Sequence, residues 1–100
     1  MKPFAIAGIQ MKVSAIHSNV EMMKLKLDIT MNLYPWVQMV VFSELCGYGP
    51  LLHTAKEIPG HFEQEMQKMA KQYGIWLIPG SIFEKRGEKM YNTASVINPQ

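Results

Sequence analysis

Apolar positions along the chain fall into short unbroken runs and longer periodic stretches. Phe4–Gln10 (FAIAGIQ), Val37–Phe42 (VQMVVF) and Ile75–Phe83 (IWLIPGSIF) are short, and nearly every position in them is apolar. Strands covered on both faces read this way. Between the first two, Val20, Met23, Leu27, Met31 and Tyr34 recur at helical spacing. Met22, Leu25, Ile29 and Leu33 form a second stripe, and Lys24, Asp28 and Asn32 mark the expected wet side. Ser18-Asn19-Val20-Glu21 fits a capping box at the start of this helix, and Pro35 ends it at about Tyr34. After Ile58-Pro59-Gly60 a second helix carries Phe62, Met66, Met69, Ala70 and Tyr73 on one stripe, with Glu63 and Glu65 expected at the surface. Gly74 stands where a helix ends.

Pro79-Gly80 predicts a bend or bulge within the third strand. Lys85–Glu88 reads as a polar, solvated turn, and Met90–Ile97 as a fourth strand completing a hairpin. The predicted order is β-α-β-α-β-β, an α/β chain that begins with a βαβ unit. Asn98-Pro99-Gln100 opens a turn inside which the sequence stops, so residues 1–100 are expected to be the amino-terminal part of one longer domain.

Composition narrows the function classes. Ten Lys and Arg against eight Asp and Glu give a net charge of +2, which is no footprint for nucleic acid. Apolar residues make up 48% of the chain and charged residues 18%, against roughly 25% charged in an ordinary domain, so disorder is excluded. A chain of this size hides only about 60–65% of its extended surface, so some apolar surface is expected to meet another layer. No run reaches the ~18 apolar residues of a membrane span. A single cysteine excludes an internal disulfide and a thiolate zinc cluster. Met1-Lys2-Pro3-Phe4 runs directly into a strand pattern without a signal peptide's apolar region, which makes a cytoplasmic setting the expectation.

Candidate chemistry concentrates in the loop Ser43–Pro50, at the carboxyl end of a buried parallel-type strand, where α/β sheets place their sites. Glu44 directly follows Val40-Val41-Phe42. Near the apolar interior its carboxylate would be desolvated and usable as a base; it would equally serve to cap the loop or pair with a lysine. Tyr48 either lines the rim of a pocket or packs as an ordinary aromatic. Cys46 has no His or Lys placed to lower its pKa and reads as a packed cysteine. His17, His53 and His61 lack ligand spacing, so no metal is expected. The nine methionines fall at core spacing, and no glycine-rich phosphate loop is present.

Five blocks in order resemble the amino-terminal part of the nitrilase, or carbon–nitrogen hydrolase, superfamily. They are Ala7-Gly8-Ile9-Gln10, Val40–Leu45 followed by Gly47-Tyr48, Ile58-Pro59-Gly60, Ile78–Lys85 and Tyr91–Pro99. The resemblance implies a four-layer α-β-β-α sandwich and a Glu-Lys-Cys triad, with Glu44 as the counterpart of the glutamate. It implies hydrolysis of a non-peptide carbon–nitrogen bond in a small amide, carbamoyl or nitrile substrate, through a cysteine thioester. No cofactor is implied, and a homodimer or larger homo-oligomer is expected. The lysine and cysteine fall beyond residue 100, so the 100 residues alone are expected to be inactive and to self-associate. Ser43 departs from the proline usual before the glutamate. Acyl or amide transfer by the same chemistry, and a non-catalytic binding module on the same fold, are the alternatives.

Overall fold

A computed structural model describes residues 3–100; Met1 and Lys2, part of the segment read above as leaderless, lie outside the described residues. Three parallel strands, β1 (Ile6–Ile9), β2 (Met39–Phe42) and β3 (Trp76–Ile78), form a sheet in that spatial order. Helix α1 (Val20–Leu33) links β1 to β2. A 3₁₀ turn (Leu52–Thr54) and helix α2 (His61–Tyr73) link β2 to β3. Strands β4 (Ser81–Arg86) and β5 (Lys89–Ala94) form a separate antiparallel hairpin.

Pro79-Gly80 therefore does more than bend one strand. Proline supplies no ladder donor, and Gly80 takes φ +74°, in the left-handed region that favours glycine. A Cβ at Gly80 would run into the Ser43 carbonyl oxygen. The chain turns here from the first sheet into the second, so the single strand expected over Ile75–Phe83 is two. The last strand is also shorter than expected. Its hairpin pairing ends at Ala94, and Ile97 returns to β3, exchanging two 2.8 Å backbone hydrogen bonds with Leu77.

Helix α2 follows its sequence pattern. Phe62, Met66, Met69 and Ala70 are buried. The Gly74 cap, at φ +63°, lets the Ile75 N–H donate back to the Ala70 carbonyl at 3.0 Å as the chain enters β3. Glu63, expected at the surface, is buried instead, with its Oε1 accepting from the Gly60 N–H at 2.9 Å.

Helix α1 departs further from its pattern. Val20, Met23, Leu27 and Met31 are buried, whereas Met22, Leu25, Ile29, Leu33 and Tyr34 are exposed. One helix presents one face to the sheet, and the flank expected to be wet leans toward α2, where Lys24 Nζ lies 3.5 Å from Glu65. The expected Ser18–Glu21 box is not formed. The N-cap is Asn19, which is tied to its surroundings rather than to its helix: its backbone N–H donates to Gly47 O at 2.8 Å, and its Oδ1 accepts from the Ser14 N–H at 2.8 Å.

Register separates the two faces of the parallel sheet, because neighbouring residues on a strand point to opposite sides. Ala7, Val40 and Leu77 form one row and Ile9 and Phe42 the next, all packed against or within the helix-covered core. Ile6, Met39 and Trp76 share a row on the other face, with Gly8, Val41 and Ile78 beside them. Ile6 is 61% exposed and Trp76 40%. Within these residues the sheet is covered on one face, because both helices lie on the same side, and the bare apolar face is the surface expected to meet another layer. Full burial of a Leu or Met side chain is worth roughly 1.5–3 kcal/mol, and Met23, Leu27, Met66 and Leu77 supply it on the covered side. No helix among the described residues is long and apolar enough to cross a membrane.

Candidate active site

Strand β2 ends at Phe42, and the following turn begins at Glu44. Three contacts fix this turn. Gly80 packs against the Ser43 carbonyl, the Leu45 N–H donates to Ser81 Oγ at 3.0 Å, and the Gly49 N–H closes on Leu45 O at 3.0 Å. Leu45 sits at φ +55°, a left-handed conformation that costs a non-glycine residue of order 1–3 kcal/mol and persists only where neighbours impose it. The strain lies next to Glu44.

The Glu44 side chain opens into a cleft of about 290 Å³ between the two sheets, walled by Phe42, Ile78, Gly80, Ser81, Asn92 and Ala94. Its Oε2 accepts a hydrogen bond from Asn92 Nδ2 at 3.0 Å. Within these 100 residues Glu44 is exposed. The turn carries the side chain out of the core row that ends at Phe42. Beside the cleft, and sharing Phe42 with it, lies a hollow of about 400 Å³ at the carboxyl ends of β1 and β2, lined also by Gly8, Ile9 and Val41.

The structure does not bring Tyr48 into the cleft of Glu44. Tyr48 lines a separate hollow of about 280 Å³ with Lys56, His61 and Glu63. Its ring centroid lies 5.6 Å from that of Phe62, and Lys56 Nζ stands 5.0 Å over its face. Burial, and then the Glu63 charge, push its hydroxyl pKa up. Cys46 is fully buried; burial raises its thiol pKa against the lowering effect of a hydrogen bond with Ser43, as suits a packing cysteine. No group of three His, Cys, Asp or Glu among the described residues is placed to hold a metal.

A second carboxylate, Glu84, is buried on the opposite side of the hairpin. Thr93 Oγ1 donates to its Oε1 at 2.8 Å, and Arg86 donates Nε to Oε2 at 3.3 Å and Nη2 to Oε1 at 3.2 Å. These partners, Thr93 first, hold the Glu84 carboxyl below its usual range. Sequence reasoning missed both Ser81 and Asn92. Only the register of β4 on β5, with Ser81 opposite Ala94 and Phe83 opposite Asn92, puts them at Glu44.

Comparison with known proteins gives this arrangement a family. The carbon–nitrogen hydrolase family model matches residues 4–100, and the chain belongs to that family. Among curated relatives, the omega-amidase NIT2 of Mus musculus is 33% identical over 99% of this chain and 37% of its own length, and that of Danio rerio is 43% identical over 58% of this chain and 21% of its own. Solved structures share the fold. Saccharomyces cerevisiae Nit3, of the nitrilase superfamily, superposes with a TM-score of 0.73 at 19% identity over 87% of this chain and 37% of that one. The carbon–nitrogen hydrolase of Helicobacter pylori G27 gives 0.68 at 22% identity over 92% and 35%. The chain thus has the α/β architecture of this superfamily and spans a little over a third of the length of mouse NIT2.

Proposed function

We propose that this chain is the amino-terminal part of an amidase-type carbon–nitrogen hydrolase and that Glu44 is its general base. The carrying observation is a carboxylate fixed at the carboxyl end of a parallel strand and open to a cleft between two sheets. Family membership and the omega-amidase relatives favour an amide over a nitrile as the bond attacked.

In this reading the family's cysteine and lysine come from residues outside these 100. Glu44 takes the proton from the cysteine thiol, and the thiolate attacks the amide carbon. The lysine stabilises the oxyanion of the tetrahedral intermediate. As the carbon–nitrogen bond breaks, Glu44 returns the proton to the departing nitrogen, so that ammonia or an amine leaves and a thioester remains. Glu44 then takes a proton from water, the hydroxide attacks the thioester, and the free acid departs as the thiol regains its proton. The steps draw on no cofactor. The 100 residues alone, lacking two of the three groups, are inactive. Tyr48 enters as a substrate-binding residue at the rim of the pocket, on the strength of its Gly-Tyr block alone. A homo-oligomer and a cytoplasmic setting belong to the same reading.

The test is Glu44→Gln in the complete protein. A positioned acid–base group is worth typically 10²–10⁴-fold in rate, so turnover should fall by at least about 100-fold with the fold intact. Turnover within about threefold of the parent would exclude Glu44 as the base.

A further inference from the structure

We infer that Asn92 is the positioning residue for Glu44, holding one carboxylate oxygen so that the other is aimed at the proton to be moved. This rests on the reading of Glu44 as the base.

Three observations carry it. First, among the described residues the hydrogen-bond partner of the Glu44 carboxylate is Asn92, at 3.0 Å on Oε2. A long glutamate side chain without such a hold spreads over many rotamers. Second, the hold is matched on the backbone. Ser81, Asn92 and Ala94 lie on the same face of the β4–β5 hairpin, and Ser81 grips the Leu45 N–H while Asn92 grips the neighbouring side chain. One rigid surface thereby fixes both the turn and the carboxylate that the turn presents. Third, the chemistry of the donor fits the task. Asparagine is depleted in strands, and this one lies on the hairpin face that walls the cleft. Its amide is neutral and occupies one oxygen, leaving the carboxylate its charge and a free oxygen as acceptor. The Arg86 clamp on Glu84 shows the opposite design, with guanidinium bonds to both oxygens.

The experiment is a double-mutant cycle on the complete protein, using Asn92→Ala, Asn92→Asp, Glu44→Gln and each Asn92 change combined with Glu44→Gln. Loss of positioning is expected to lower kcat about 10- to 100-fold in Asn92→Ala, with KM within about twofold. Asn92→Asp keeps the shape, removes the donor and adds a like charge, so its loss should be at least as large. In the Glu44→Gln background neither change should cost anything further, because the group it positions is gone. A purely structural role would multiply with Glu44→Gln instead. Asn92→Asp alone decides if the alanine variant fails to fold. Overturning results are kcat within about threefold of the parent in both Asn92 variants, or losses that multiply in the Glu44→Gln background. Full activity in Glu44→Gln would instead remove the base assignment and this inference with it.

Discussion

On one face of the β4–β5 hairpin a carboxylate is saturated; on the other it is left one oxygen short. Glu84, 4% exposed, takes three hydrogen bonds from Thr93 and Arg86. Glu44, exposed, takes one from Asn92. Thr93 and Asn92 are consecutive residues of one strand, so the alternation of side chains across a strand is what delivers one to each carboxylate. A carboxylate whose lone pairs are occupied by a guanidinium and a hydroxyl binds a proton poorly and serves the fold. A carboxylate oriented by one neutral amide beside a cleft retains a site for the proton. Within the described residues the deeper glutamate is the more fully hydrogen-bonded one.

The largest effect expected from breaking this arrangement is at Gly80, the bend between the two sheets. Gly80→Val places a β-branched side chain at φ +74° and against the Ser43 carbonyl, one residue before Glu44. We expect a loss of roughly 3 kcal/mol or more, read by denaturant unfolding, together with loss of turnover in whatever remains folded. A variant with parental stability and turnover would show that the bend does not set the Glu44 turn.

The next effect sharpens the role of Glu84. Its carboxyl pKa is lower in the folded chain than when unfolded, so its contribution is fully present above the ordinary carboxylate value of about 4.3. That contribution is lost as pH falls through the lowered folded value. Glu84→Gln should flatten this part of the acid side of the stability–pH curve and lower the melting temperature near neutrality. An unchanged acid limb would mean that the Arg86 and Thr93 contacts carry no net charge stabilisation. The smallest effect belongs to Cys46. Cys46→Ala removes a fully buried sulfur, at a cost of about 1 kcal/mol, and should leave turnover per folded molecule unchanged. Loss of turnover with the fold intact would restore Cys46 as a chemical group.

Much of the scaffold was legible in the pattern of residues. Apolar runs marked β1 and β2, the stripe Phe62–Met66–Met69–Ala70 marked α2, and Gly74 marked its end. The position of Glu44 after Val40-Val41-Phe42 was legible for the same reason. Other features depend on long-range pairing that no local window contains. The break at Pro79-Gly80 looks like a bulge until Gly80 meets Ser43 across 37 positions. Arg86 reads as a solvated turn residue until it curls back onto Glu84 and lies 5.0 Å from the Tyr91 ring. Asn92 is one polar residue in an alternating strand, and only the hairpin register points it at Glu44. Local patterns likewise could not tell which of α1's two apolar stripes faces the sheet, because each fits a helix equally well.

The most direct test compares Glu44→Gln and Glu84→Gln of the complete protein, side by side in one calorimeter and one amidase assay. The account predicts that Glu44→Gln loses at least about 100-fold in kcat with its melting temperature unchanged. Glu84→Gln should melt earlier and keep kcat per folded molecule within about twofold of the parent, since its carboxylate faces away from the cleft. The reverse pattern, with turnover lost in Glu84→Gln and kept in Glu44→Gln, would contradict the division of labour between the two faces of the hairpin.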